Sequence, residues 1–189
     1  MGDDFARSID QIQDWFTHSR EIELPEYVIE EVFLASLSVI KDLHPEKNIE
    51  VSKEYSDADG KHMTSRQTYV TYVTIFQNLL GNAVSYGKEN NHKLCISYGL
   101  KCDDKGIEIL IKNDIKYSQI NNIERKMEEI KAKITDADYL DNVSSEGGSG
   151  IKKLCKMIAT DLGYQPEFDF VLDKAEKTLG VLIKGIRIG

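Results

Sequence analysis

Between Thr68 and Tyr86 the apolar residues Tyr72, Ile75, Phe76, Leu79, Leu80 and Ala83 recur at intervals of three and four, which lines one face of an α-helix. Gly87 follows and is suited to end that helix in a left-handed conformation. An earlier helix is predicted after Pro25, where Val28, Val32, Leu34, Ala35, Leu37, Val39, Ile40 and Leu43 form a strongly apolar run that stops before Pro45. Its apolar content predicts a core helix. Before it, Phe5, Ile9, Ile12, Trp15 and Phe16 lie at helical spacing among polar residues and predict an amphipathic helix. A third type of pattern, alternation, marks Asn48 to Tyr55, Lys93 to Leu100, Gly106 to Lys112, Glu167 to Leu172 and Leu179 to Ile188 as strands. The polar turn Cys102-Asp103-Asp104-Lys105 joins the second and third of these into a hairpin, and Asp57-Ala58-Asp59-Gly60 closes the first.

From Asp114 to Glu146 apolar density collapses, leaving Ile123, Met127, Ile130 and Ile134 on one face of a short, highly charged helix. The segment reads as a long mobile insertion. Gly147-Gly148-Ser149-Gly150 then opens a helix carrying Ile151, Leu154, Met157, Ile158 and Leu162, which Gly163 closes.

Length and charge narrow the function classes. A chain of 189 residues that is 41% hydrophobic has the size of one domain with one core. Its net charge of -8 and pI near 5.1 repel phosphate backbones, so nucleic acid is not expected as a partner. No run approaches the ~18 apolar residues that span a bilayer, and nothing near Met1 has the pattern of a secretory signal, so direct membrane insertion is not expected and the location is read as cytoplasmic. Cys95, Cys102 and Cys155 are odd in number and widely spaced, which predicts reduced, mostly buried thiols.

Two places carry candidate chemistry. Asn78 and Asn82 lie four apart, so both amides project from one side of the predicted helix beside its apolar face. Gly148 to Gly150 form a glycine-rich entry to a helix, where backbone N–H groups and the positive end of the helix dipole suit a phosphate chain. Such a loop is also common as a plain flexible turn.

The order of elements and the run Phe76-Gln77-Asn78-Leu79-Leu80-Gly81-Asn82-Ala83-Val84-Ser85-Tyr86 resemble the histidine kinase-like ATPase superfamily, the Bergerat fold of sensor histidine kinases, gyrases and related chaperones, over residues 26 to 188. The run is similar to that superfamily's N-box in its histidine-kinase form. The resemblance implies an α+β fold, a two-layer α/β sandwich whose mixed, mostly antiparallel sheet is covered on one face by helices. It implies a helical extension over 1–25, an ATPase-type domain over 26–189 and an ATP lid over 114–147. It implies ATP or ADP with Mg2+ as ligands, Asn82 as the magnesium ligand and Tyr86 against the adenine. Gly148-Ser149-Gly150-Ile151 resembles the second glycine box that cradles phosphates, with Lys152 and Lys153 next to it.

Several positions depart from the family pattern. Where relatives carry Asp-x-Gly-x-Gly at the end of the central strand, this chain has Asn113-Asp114-Ile115-Lys116, so Asn113, or Asp114 one residue on, is the expected acceptor for the adenine amino group. Ser85 stands at a position that is usually basic, and Asn78 stands where hydrolytic members place a general-base Glu. His18, followed by Ser19 and Arg20, is a poor match to a phosphoacceptor. The expectation is therefore a nucleotide-binding module, regulatory or slow, acting with another domain or subunit, possible homodimers included. The other reading is a nucleotide-free interaction domain that keeps the fold.

Overall fold

The computed structural model describes residues 27–56, 63–64, 66–90, 92–103, 106–134 and 149–187. The predicted amphipathic helix at Phe5 to Phe16, His18, the Asp57 to Gly60 turn, the lid beyond 134, and Gly147 and Gly148 lie outside the described residues.

The elements in order are β1 (Tyr27–Val28), α1 (Ile29–Leu43), β2 (Asn48–Ser56), β3 (Met63–Thr64), α2 (Arg66–Tyr86), β4 (Glu89–Asn90), β5 (Lys93–Asp103) and β6 (Gly106–Asp114). A 3-10 turn (Tyr117–Gln119), α3 (Ile120–Ile134), α4 (Ser149–Thr160), β7 (Tyr164–Asp173) and β8 (Thr178–Arg187) complete it. The main sheet runs β2-β5-β6-β8-β7, with β4 added to β5. β2 and β5 pair in parallel, whereas β5–β6, β6–β8 and β7–β8 are antiparallel. β1 and β3 form a separate two-residue ladder. The expected two-layer α/β architecture is the observed one.

Alternation along the strands sorts the two faces. Leu94, Ile96, Tyr98, Leu100, Ile107, Ile109, Ile111 and Ile183 are buried on one face, against Phe33 and Ile40 of α1, Ile75, Phe76 and Leu80 of α2, and Leu154 and Ile158 of α4. Phe33 sits at the centre, edge-on to Phe76 at 5.4 Å between centroids and tilted against Tyr98 at 4.2 Å. The opposite face is polar and internally paired. Lys112 bonds Glu54 at 2.7 Å, Tyr55 donates to Glu108 at 2.6 Å, and Lys184 lies 3.2 Å from Glu108.

The α2 face follows its spacing, since Tyr72, Ile75, Phe76, Leu79, Leu80 and Ala83 are all buried. The α1 prediction holds for Val32, Leu37 and Ile40, whereas Leu34, Val39 and Leu43 are 48%, 43% and 65% exposed. A helix apolar on most sides does not declare its buried stripe, and here Phe33 and the hydroxyl of Ser36, donating to Val32 O at 2.8 Å, take the inward positions. Acidic Glu30 and Glu31 in the first turn and Lys41 in the last complement the helix dipole. As expected, Cys102 and Cys155 are buried thiols and Cys95 is half-buried; burial raises the Cys155 thiol to about 11, which keeps it protonated and unreactive.

The carboxylates of the polar face and its rim set the acid response. The hydroxyl of Tyr55 holds Glu108 below the ordinary carboxylate range, Lys131 does the same for Asp169, and Lys53 for Glu30. A carboxyl with a lower pKa folded than unfolded stabilises the fold above its unfolded pKa, and that contribution disappears as pH falls through the folded value. Urea midpoints are thus expected to hold steady above roughly pH 5 and to fall below roughly pH 4. Glu108→Gln should start lower at neutral pH and lose less on acidification.

Candidate functional site

The geometry follows from where the elements end. Asp114, Thr178 and Asp173 meet at one end of the sheet, and Gly106, Ile186 and Tyr164 mark the opposite end. α2 delivers its C-terminus to the Asp114 end, where Lys88 N donates to Asp114 O at 2.8 Å immediately after the helix. α4 finishes at the Tyr164 end, and there Thr71, near the start of α2, donates to Asp161 at 3.2 Å. α2 and α4 touch, and α4 also packs on β7. α4 is about 18 Å long at 1.5 Å per residue. Its first turn, Ser149-Gly150-Ile151, lies at the other end of the helix from the Asp161 contact with Thr71.

At that end the sequence candidates are arranged as follows. Asn82, Ser85 and Tyr86 are exposed on the last turns of α2, with Tyr86 73% accessible. Asn78 is half-buried and its Nδ2 donates to Thr74 O at 2.7 Å. Asn113 is 9% exposed, on the helix-covered face of β6. Its Nδ2 donates to Asp114 O at 2.9 Å. Asp114 occupies the alternate position, and its carboxylate accepts from Asn90 Nδ2 at 2.5 Å. Of the two expected readers of a base, Asn113 faces the helical layer and Asp114 is engaged elsewhere. Gly148 and the side chain of Ser149 are outside the described set, and Gly150 and Ile151 are half-buried at the start of α4.

Gly87 is where this arrangement is tightest. A β-carbon there would stand 2.4 Å from Ala83 O, 2.5 Å from Leu94 Cδ1 and 3.4 Å from Asn113 Nδ2. Among the described residues the positive-φ glycines are Gly106 and Gly163, so Gly87 is required for close approach and not for the left-handed turn expected of it. Gly163, at φ 68°, closes α4 as predicted.

Sequence reasoning missed Asn90 and Lys47. Lys47 Nζ donates to Val84 O at 2.8 Å and so satisfies a carbonyl left open at the end of α2. Both residues sit in polar turn-like runs whose composition gives no sign of a long-range partner.

The first part of the expected lid is a well-formed helix. α3 lies by the β7–β8 hairpin through an ion pair of Lys131 with Asp169 and one of Lys174 with Glu124 at 2.7 Å, while Ile115 N bonds Lys177 O at 2.8 Å. A cleft of about 510 Å³ there is lined by Lys131, Pro166, Glu167, Phe168, Asp169, Leu182 and Lys184, none of them a candidate ligand residue. Among the described residues no group of three or more His, Cys, Asp or Glu could hold a metal. Asn82, the expected magnesium ligand, carries an amide carbonyl oxygen, a donor type that suits Mg2+. Among the described residues no helix is long and apolar enough to cross a membrane.

This architecture is that of a histidine-kinase catalytic domain. The catalytic domain of histidine kinase ThkA, in a nucleotide-free form, superposes with a TM-score of 0.57 at 13% identity, over 88% of this chain and 98% of that one. The Acinetobacter baumannii histidine kinase AdeS gives 0.54 at 9% identity, over 97% and 76%. Full-length ShkA in complex with AMPPNP gives 0.55 at 13%, over 87% and 31%. At identities this low the likeness carries the fold alone. The sequence itself goes further: residues 28–184 match the y4jQ C-terminal putative histidine kinase domain, and the chain belongs to that family. Comparison with curated proteins gave no match.

Proposed function

We propose that residues 26–189 are a Mg2+-dependent ATP/ADP-binding domain of the histidine kinase-like type, a regulatory or slow module of a larger cytoplasmic protein, with residues 114–147 as its lid and 1–25 as a helical extension. The observation that carries this reading is the convergence of Asn113, Gly87 and the end of α2 that bears Asn82. In it, Asn82 supplies a carbonyl oxygen to the metal, Tyr86 covers the adenine, and Asn113 accepts from the adenine amino group. The first turn of α4, with Gly148 before it and Ser149, Gly150 and Ile151 within it, offers N–H groups to the phosphates. Bound magnesium would neutralise phosphate charge and orient the chain of phosphates.

Turnover is expected to be slow. Asn78 offers no carboxylate to activate water, and its amide nitrogen is already committed to Thr74 O. The docking of a second domain or subunit, a homodimer included, is assigned to the N-terminal extension. Calorimetry with ATP in the presence of Mg2+ and again with EDTA tests the reading, with binding expected only in the first. A ligand held at 100 times its Kd should also stabilise the fold by about 2.7 kcal/mol. Absence of heat and of any thermal shift with millimolar ATP or ADP would instead mark a nucleotide-free interaction domain.

A further inference from the structure

An aspartate can only accept a hydrogen bond, whereas an asparagine can offer either its oxygen or its nitrogen, depending on which way the amide is turned. A pocket that reads a base through Asn113 therefore selects adenine, with its amino donor, or guanine, with its carbonyl acceptor, according to what fixes that amide. The fixing contacts are on the Asp114 side. Asn113 Nδ2 donates to Asp114 O at 2.9 Å, and no donor to its Oδ1 occurs among the described residues. The same Asp114 carbonyl accepts Lys88 N at 2.8 Å, so its acceptor directions are both occupied. Two residues beyond Lys88, Asn90 Nδ2 grips the Asp114 carboxylate at 2.5 Å. The 88–90 segment is thus stapled to Asp114 at the main chain and at the side chain. β4 holds the staple in place by pairing Glu89 with Leu94 and Asn90 with Lys93.

We infer that Asn90 is a positioning residue for base selectivity: through Asp114 it keeps the Asn113 amide turned with Oδ1 as its one available group, so that an uncharged residue discriminates for adenine as a carboxylate would. The inference rests on the nucleotide-binding reading above. Asn90 touches no ligand in this scheme and acts only through Asp114. With the staple intact, guanine would set its O6 against Oδ1 and leave both without a donor, a mismatch worth about tenfold to a hundredfold in affinity. With Asn90 truncated, the Asp114 side chain is released and Lys88 N alone holds the carbonyl beside Asn113, so the amide can turn more readily and present Nδ2 to O6.

The test is the ratio of ATP to GTP affinity, each with Mg2+, in the full chain. The wild type is expected to favour ATP by at least about tenfold, and Asn90→Ala to bring the ratio to within about threefold. Asn113→Asp removes the ambiguity of the amide, so the ratio should return in the Asn90→Ala, Asn113→Asp double variant. A residue with only a structural role would weaken both nucleotides together and leave the ratio unchanged. A ratio unmoved by Asn90→Ala, a wild type that favours GTP, or a double variant as unselective as the single one overturns the inference while leaving nucleotide binding standing. Absence of binding by the wild type to either nucleotide removes the underlying reading and the inference with it. Thermal midpoints of the wild type and both variants confirm that folded protein is being compared.

Discussion

Asn82→Ala is expected to weaken Mg-ATP binding by about a hundredfold, corresponding to about 2.7 kcal/mol, while the thermal midpoint of the ligand-free protein barely changes. The two halves of the expectation have separate causes. Asn82 is exposed on α2 and has no side-chain partner among the described residues, so truncating it removes no packing. Surface substitutions of that kind usually fall within about 0.5 kcal/mol. Binding is different, because a single carbonyl oxygen is the protein's contribution to a metal otherwise held by phosphates and water. No acidic cluster among the described residues stands by to replace it. The loss should appear as loss of magnesium dependence: the variant's residual ATP affinity should match that of the wild type in EDTA. Asn82→Asp keeps a hard oxygen ligand and should retain much of the magnesium-dependent term. Equal, magnesium-dependent binding by wild type and Asn82→Ala would remove Asn82 from the site.

How far the sequence announces this site depends on the range of the interaction concerned. Period-3.6 and period-2 patterns are local, and they locate α2, the β5–β6 hairpin and the β7–β8 hairpin to within a few residues. The facing of Asn113 toward the helices also follows from alternation, as Ile107, Ile109 and Ile111 precede it on the same side. Pairings between distant elements leave no such trace. Asn90 with Asp114, Lys47 with Val84 O and Thr71 with Asp161 are 24, 37 and 90 positions apart. The two-residue strands β1, β3 and β4 are too short for any period to register. α1 shows the complementary failure: its apolar residues outnumber the places the core has for them, so Leu34, Val39 and Leu43 end outside while Phe33 enters.

Gly87→Ala should damage stability and binding together, a combination that no surface ligand residue produces. An added methyl would lie 2.4 Å from Ala83 O and 2.5 Å from Leu94 Cδ1. The first is a backbone atom in the last turn of α2, also the acceptor for Gly87 N at 2.8 Å, and it cannot retreat without opening that bond. The second belongs to a fully buried side chain of β5 whose neighbours leave it little space. Overpacking in such a place costs about 1–3 kcal/mol, and backbone on one side of the clash favours the upper part of that range. Relief has to come from shifting residues 87–88 outward, and Lys88 N is the donor that helps hold Asp114 O beside the Asn113 amide. The strain is therefore delivered to the residue assigned to the base. Urea denaturation should report a loss of about 2–3 kcal/mol, and calorimetry at a temperature where the variant is still folded should report weakened ATP binding with its magnesium dependence intact. Retention of the remaining magnesium dependence separates this variant from Asn82→Ala, in which that dependence is what disappears. A Gly87→Ala protein with wild-type midpoint and wild-type affinity would show that α2 and β6 are not packed as closely as the Gly87 contacts require.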